Sequence, residues 1–212
     1  MHANGRVLVV MSQDLIHQII ALPTATLHEA MGKYGALPAG IKPISPEMRL
    51  GGTAVPVHTM PRDNMMLHRS IAQAAAGDVI VAHVSDFWEA GYWGEIMAVG
   101  AQARGIAGLV IDGCVRDGDP ITALGFPVFA RGLCIHGTTK FGKGTLNQPI
   151  TIGQVIIHPG DVVVGDRDGV VVVPADRLAD TLAKAQAREA KEAQVMERLR
   201  NGETTLEIYG WQ

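Results

Sequence analysis

In the middle of the chain, short solid runs of apolar residues alternate with stretches of helical spacing, and this predicts a mixed α/β fold. After the turn Gly77-Asp78, the run Val79 to Val84 has the length of a buried strand. A helical pattern follows from about Gly94 to Arg104, then a turn at Gly105 and a second apolar run from Gly108 to Ile111. Strand, helix and strand in that order make a βαβ unit. Further strands are predicted at 127–131, 150–157, 161–164 and 170–173, the last two joined by the turn Gly165-Asp166-Arg167-Asp168-Gly169.

The flanks carry helical rhythm. Residues 12–33 place Leu15, Ile19, Ile20, Leu27 and Met31 on one face, with Pro23 expected to break the stretch in two. After Pro174, a charged, Ala-rich segment repeats Leu178, Leu182, Ala185, Ala193, Met196 and Leu199 at helical spacing until Asn201-Gly202 stops it. A helix over about 175–200 would be about 38 Å long, against a radius of gyration of about 17 Å for a compact chain of this size. Such a helix spans a whole face or reaches a neighbouring subunit. Glycines and prolines are spread evenly and no repeat or low-complexity linker occurs, so one domain over residues 1–212 is expected, with an N-terminal helical extension at about 12–33.

Composition narrows the partners. With 47% hydrophobic and 18% charged residues and a net charge of -3, the chain lacks the basic excess of a nucleic-acid binder. Its two cysteines, Cys114 and Cys134, are too few for a disulfide framework and lack zinc-knuckle spacing. The apolar run Val7 to Met11 is shorter than a signal-peptide core or a membrane span, so a cytoplasmic protein with no membrane partner is expected.

The candidate chemistry lies where the two parallel strands of the βαβ unit end, the edge on which open α/β sheets bind ligands. The loop Glu89 to Glu95 enters the helix there, and its free N–H groups and helix dipole favour a carboxylate. Immediately after the second strand comes Asp112-Gly113-Cys114-Val115-Arg116-Asp117. An arginine can pair a carboxylate or polarise a carbonyl with two donors, and an aspartate can hold a hard cation such as Mg²⁺ or Mn²⁺. Plainer roles suit the same residues: Glu95 as a dipole partner in a first helical turn, Arg116 and Asp117 as a surface pair. Cys114 reads as a small packing residue.

Other motifs weigh less. Gly137 to Gly144 fits G-x-x-x-x-G-K but has Gly144 where Ser or Thr should reach a nucleotide's Mg²⁺. Asp166 to Gly169 resembles a piece of a calcium loop, but lies between Val-rich runs and reads as a hairpin turn. None of the eight histidines has HxH or HExxH spacing, although His136 is a candidate pocket residue. Lys140 and Lys143 are candidates for a Schiff base with a carbonyl substrate.

Glu95, twenty intervening residues, then Arg116-Asp117 resembles the acidic-x20-Arg-Asp signature of the RraA-like class II pyruvate aldolases. Gly-Tyr-Trp-Gly-Glu at 91–95, Gly-Leu-Val-Ile-Asp-Gly at 108–113, Gly-Phe-Pro-Val-Phe at 125–129 and Pro-Gly-Asp-Val-Val-Val-Gly-Asp at 159–166 extend the resemblance, which runs from about Thr24 to Leu199. It implies a swivelling β/β/α fold assembled into homotrimers or homohexamers with active sites between subunits. It further implies divalent-metal-dependent cleavage of 4-hydroxy-2-oxo diacids to pyruvate through an enolate, with oxaloacetate decarboxylation alongside.

On that resemblance Asp117 holds Mg²⁺ or Mn²⁺ and Arg116 stabilises the enolate. The backbone of Gly94, Glu95, Ile96 and Met97 holds the small 2-oxo acid's carboxylate. The Glu95 side chain, joined by Glu192 from a neighbour, orients a catalytic water. Related RNase E-binding regulators share the fold without being enzymes but lack an acid at the position of Asp117. The methyltransferase label used for some relatives finds no glycine-rich nucleotide loop after the first strand.

Overall fold

A computed structural model describes residues 13–211, so the apolar run at 7–11 lies outside the described residues. Two helices open it, α1 (Gln13–Ala21) and α2 (Thr24–Ala30), followed by β1 (Lys42–Pro43), β2 (Leu50–Thr59), α3 (Met65–Gln73) and β3 (Asp78–His83). Next come α4 (Glu95–Ala103), β4 (Gly108–Asp112), β5 (Cys114–Val115), α5 (Gly118–Leu124), β6 (Val128–Ala130) and β7 (Gly132–Leu133). The chain continues with β8 (Gly144–Leu146), β9 (Ile150–Ile152), β10 (Val155–Ile157), β11 (Val162–Asp166) and β12 (Gly169–Val173), and ends with α6 (Leu178–Arg200) and α7 (Thr205–Tyr209).

The predicted βαβ unit is β3-α4-β4, with Ile80 beside Leu109 and His83 beside Asp112 in parallel register. It sits at the centre of an eight-stranded mixed sheet ordered β1-β6-β4-β3-β2-β11-β12, with β8 on the far end of β2. The sheet curls until its edges nearly meet. Residues 35–37 exchange backbone hydrogen bonds with β12 (Val172 N to Gly35 O, 2.8 Å; Leu37 N to Val170 O, 2.9 Å), and β1, a few residues on, pairs with β6.

The Val-rich strands are covered on both faces, which explains their unbroken apolar runs. Val163, Val170 and Val172 join the core under α3 and α4. Val162, Val164, Val171 and Val173 face the other way, onto Ile16, Ile19, Leu27 and Leu182 of α1, α2 and α6. Each such side chain, fully buried, contributes about 1.5–3 kcal/mol. The N-terminal extension and the long C-terminal helix are therefore the second cover of the sheet. Only the first half of α6 serves in it: Leu178, Thr181, Leu182 and Ala185 are buried, while Ala193, Met196 and Leu199 are exposed.

The helical stretch at 12–33 divides at Pro23 as expected, with Pro23 as the N-cap of the second helix. The structure corrects other boundaries. The strand expected at 150–157 is a hairpin: Ile152 pairs with Val155 across a two-residue turn, Gly153-Gln154. The pattern also passed over β2, the strand linking both halves of the sheet, because Gly51, Gly52 and Pro56 read as breakers. Gly52 has a steric cause: a Cβ there would meet the Gly77 carbonyl oxygen at 2.1 Å.

Candidate active site

The end of β4 and the start of α4 bring Arg116 and Asp117 to the loop that sequence reading paired with them. Arg116 N donates to the Trp93 carbonyl at 2.9 Å, stitching the two segments together. Asp117 adopts a left-handed conformation, φ 58°, which costs about 1–3 kcal/mol in a residue with a Cβ. Its Oδ2 accepts the Glu95 N–H at 3.0 Å, so the carboxylate rests on the first turn of α4, where the dipole favours negative charge. Arg116 Nε lies 3.7 Å from the same oxygen, and both side chains are about half exposed, at 48% and 42%.

Gly94 makes this approach possible. A Cβ there would stand 2.5 Å from Asp117 Oδ2 and 3.2 Å from Arg116 Nε. Beyond them lies a cavity of about 240 Å³ lined by Gly94, Ile96, Met97, Arg116 and Asp117, and from other segments by Asn64, His68 and Lys140. Glu95 N–H is taken by Asp117 and Met97 N–H by the Gly94 carbonyl at 3.1 Å. Among the described residues the Gly94 and Ile96 N–H groups have no protein acceptor, which leaves them for a ligand carboxylate. The Glu95 side chain is exposed at the helix start.

Glu192, expected to act from a neighbouring subunit, is on α6, ion-paired with Arg188 at 2.8 Å, and does not line the cavity of its own chain. Asp112, expected near the loop, is buried and paired with Arg131 instead. The His136 ring donates from Nδ1 to the Glu89 carbonyl, 3.2 Å away, and does not line the cavity. Tyr92 and Trp93 of the same loop are fully buried: the Tyr92 hydroxyl donates to Phe87 O at 2.7 Å and Trp93 stacks on Phe126. Burial raises the Cys114 thiol pKa, further raised by Cys134 and Glu89 against the opposing charge of Arg131. That fits a packing residue and disfavours a thiolate nucleophile.

Asn64 and His68 escaped the sequence reading, and Lys140 was singled out only for Schiff-base chemistry, because long-range folding brings all three to the cavity. Asn64 is buried and donates from Nδ2 to the Tyr92 carbonyl at 2.9 Å, which turns its Oδ1 toward Lys140 Nζ at 3.3 Å. His68 has its pKa lowered, first by burial and then by the charge of Lys140. The segment 137–144, so like a phosphate loop, already holds an anion of its own. The Asp63 carboxylate accepts from Phe141 N, from Gly142 N at 3.3 Å and from the Thr139 hydroxyl at 3.1 Å. Burial pushes the Asp63 pKa up, but these bonds together with the Met65 N–H outweigh it and hold it below its ordinary value.

The hard oxygen donor Asp117 suits Mg²⁺ or Mn²⁺: half exposed, with Oδ1 unshared by any described partner, it has room for a cation that keeps several waters. A second group that could hold a divalent cation is His83, Asp86 and Asp112, whose ligand atoms lie within 4.8 Å of one another. Among the described residues no helix is long and apolar enough to cross a membrane.

A family profile described as RraA-like, Aldolase/RraA, matches residues 24–172. This chain belongs to the RraA-like family. A Halalkalibacterium halodurans relative named "Putative 4-hydroxy-4-methyl-2-oxoglutarate aldolase" is 36% identical over 84% of both chains. Among solved structures, a Pseudomonas syringae pv. tomato protein superposes with a TM-score of 0.85 at 32% identity, over 96% of both chains. Streptomyces coelicolor RraAS2, described as an unusual member of the RNase ES inhibitor RraA protein family, superposes with a TM-score of 0.76 at 25% identity over 88% of this chain and 97% of its own. A relative named as a putative aldolase and a structure described as a member of an RNase inhibitor family thus both resemble this chain.

Proposed function

We propose that this chain is a class II pyruvate aldolase that cleaves 4-hydroxy-2-oxo diacids of the 4-hydroxy-4-methyl-2-oxoglutarate and 4-carboxy-4-hydroxy-2-oxoadipate type, and decarboxylates oxaloacetate. The carrying observation is the Arg116 guanidinium and Asp117 carboxylate, held 3.7 Å apart against the start of α4 in a cavity that Lys140 also lines. The Gly94 and Ile96 N–H groups would hold the carboxylate of the pyruvyl half, with the helix dipole behind them. Arg116 would donate to the 2-oxo oxygen as the C3–C4 bond breaks and its electron pair moves onto that oxygen. Asp117 would hold Mg²⁺ or Mn²⁺, which when bound supplies electron withdrawal from the 2-oxo carbonyl. Glu95 would orient the water that exchanges protons with the C4 hydroxyl and with C3 of the enolate, and Glu192 would join it only from a neighbouring subunit. Lys140 would meet the far carboxylate, since no described acid pairs with it.

A neighbouring subunit is part of this reading. Leu133, Ile135 and Ile96, 61%, 90% and 85% exposed, form an apolar rim around Arg116 and Asp117, a surface that supports a homotrimer or homohexamer closing over the site.

The assay is pyruvate release from oxaloacetate or a 4-hydroxy-4-methyl-2-oxo diacid, with and without Mg²⁺ or Mn²⁺. Release is expected only with metal, is abolished by Asp117→Ala, and falls about 10²–10³-fold in kcat in Arg116→Ala. Activity that survives exhaustive chelation would overturn the metal mechanism in favour of a Schiff base at Lys140 or Lys143. No release with any metal would favour a non-enzymatic RNase-binding regulator.

A further inference from the structure

We infer that His83, Asp86 and Asp112 form a second cation site, selective for a borderline transition ion such as Zn²⁺ or Co²⁺ and separate from the cavity at Asp117. The cluster begins with sheet register. His58 of β2, His83 of β3 and Asp112 of β4 are neighbours across three parallel strands, at one level near their carboxyl ends. Paired residues project from the same face, so their side chains form a row. The Ser85 hydroxyl gives its proton to the Thr59 carbonyl at 2.9 Å and therefore accepts from His58 Nε2, also at 2.9 Å. Thus fixed, the His58 ring stacks on His83 with centroids 5.8 Å apart.

The chain after β3 then folds back on itself. Ser85 and Asp86 are both left-handed, φ 54° and 58°, and Asp86 Oδ1 returns to 3.4 Å from His83 Nε2. Asp112 closes the group from β4, buried, with Oδ1 accepting from Arg131 Nε and no described partner on Oδ2. The Arg131 guanidinium is pinned over the Trp88 ring at 3.8 Å. A carboxylate held by an outer hydrogen bond while it ligates is the usual support of a metal site. With ligand atoms within 4.8 Å of one another, closure onto bonds of about 2.0–2.2 Å needs shifts of about 1 Å, and exposed Asp86 can supply them. One imidazole and two carboxylates select Zn²⁺ or Co²⁺ over Mg²⁺, which prefers oxygen alone. None of the three residues lines the cavity at Arg116 and Asp117.

The test uses chelator-stripped full-length protein carrying Asp117→Ala, titrated with Zn²⁺ by calorimetry and with Co²⁺ by visible absorption. One equivalent is expected to bind, with affinity at least tenfold weaker once His83→Ala or Asp86→Asn is added, and excess Mg²⁺ should not displace it. Asp86 is 81% exposed, so its substitution spares the core. No binding to the Asp117→Ala protein, or equal affinity in the double variants, would overturn the site. Because binding is read without Asp117, neither result depends on the aldolase reading.

Discussion

Gly94 is where the site is most sensitive to a single atom. A methyl group added there falls 2.5 Å from the Asp117 carboxylate, inside any permitted contact, and 3.2 Å from the Arg116 guanidinium. The glycine has an extended backbone, φ -144°, that alanine adopts freely, so the substitution strains the contact and not the chain. Gly94→Ala is therefore expected to leave the thermal midpoint within a few degrees of wild type while pyruvate release falls at least about tenfold, since misplacement of about 1 Å can cost 10²-fold. A variant with full activity would show that Asp117 need not lie against the start of α4. At this scale the sequence was informative where chemistry is local: Gly94, Arg116 and Asp117 sit next to strand ends that apolar runs mark. Asn64 and His68 were illegible, and Lys140 was legible only as a Schiff-base amine, because nothing nearby in sequence reveals that Asn64 Nδ2 binds the Tyr92 carbonyl and turns Oδ1 to Lys140. The phosphate-loop likeness of 137–144, discounted in the sequence for its Gly144, has a structural counterpart: Asp63, from the loop after β2, takes the Phe141 and Gly142 N–H groups.

Among the elements, α2 shows how the second cover of the sheet is held. Leu27 is fully buried among residues of β11, β12 and α6. Leu27→Ala is expected to cost about 2–5 kcal/mol, the range for a buried leucine whose cavity cannot collapse. Urea denaturation at fixed protein concentration checks this, and a loss under 1 kcal/mol would mean that α2 is not integral to the fold. The βαβ unit was legible because its strands are unbroken apolar runs and its helix is bounded by Gly94 and Gly105. The strand β2 was not, because close approach by Gly77 forces a glycine into a strand interior. The hairpin at 150–157 was hidden differently. Its two-residue turn lets Ile150, Ile152, Val155 and Ile157 all stay buried while Thr151 and Ile156 face out, so the pattern passes for one continuous strand.

For the whole molecule, the decisive feature is surface that one chain leaves uncovered. The second half of α6 runs on past Ala185 with Met196 and Leu199 exposed, although an isolated helix of about 12–15 residues is marginal in water. The rim of Leu133, Ile135 and Ile96 is likewise apolar beside the charged Arg116 and Asp117. Both are explained if neighbouring copies cover them, which would also bring Glu192 toward a site it does not reach within its own chain. Light scattering is then expected to give three or six times the 22.5 kDa chain mass. Ile135→Glu should shift this toward smaller species, and because Ile135 is 90% exposed, the monomer fold should lose no more than about 0.5 kcal/mol. Pyruvate release should fall with the loss of assembly and recover as protein concentration rises. A wild-type monomer with full activity would sink the shared site, whereas an intact oligomer in the Ile135→Glu variant would move the interface away from the cavity rim.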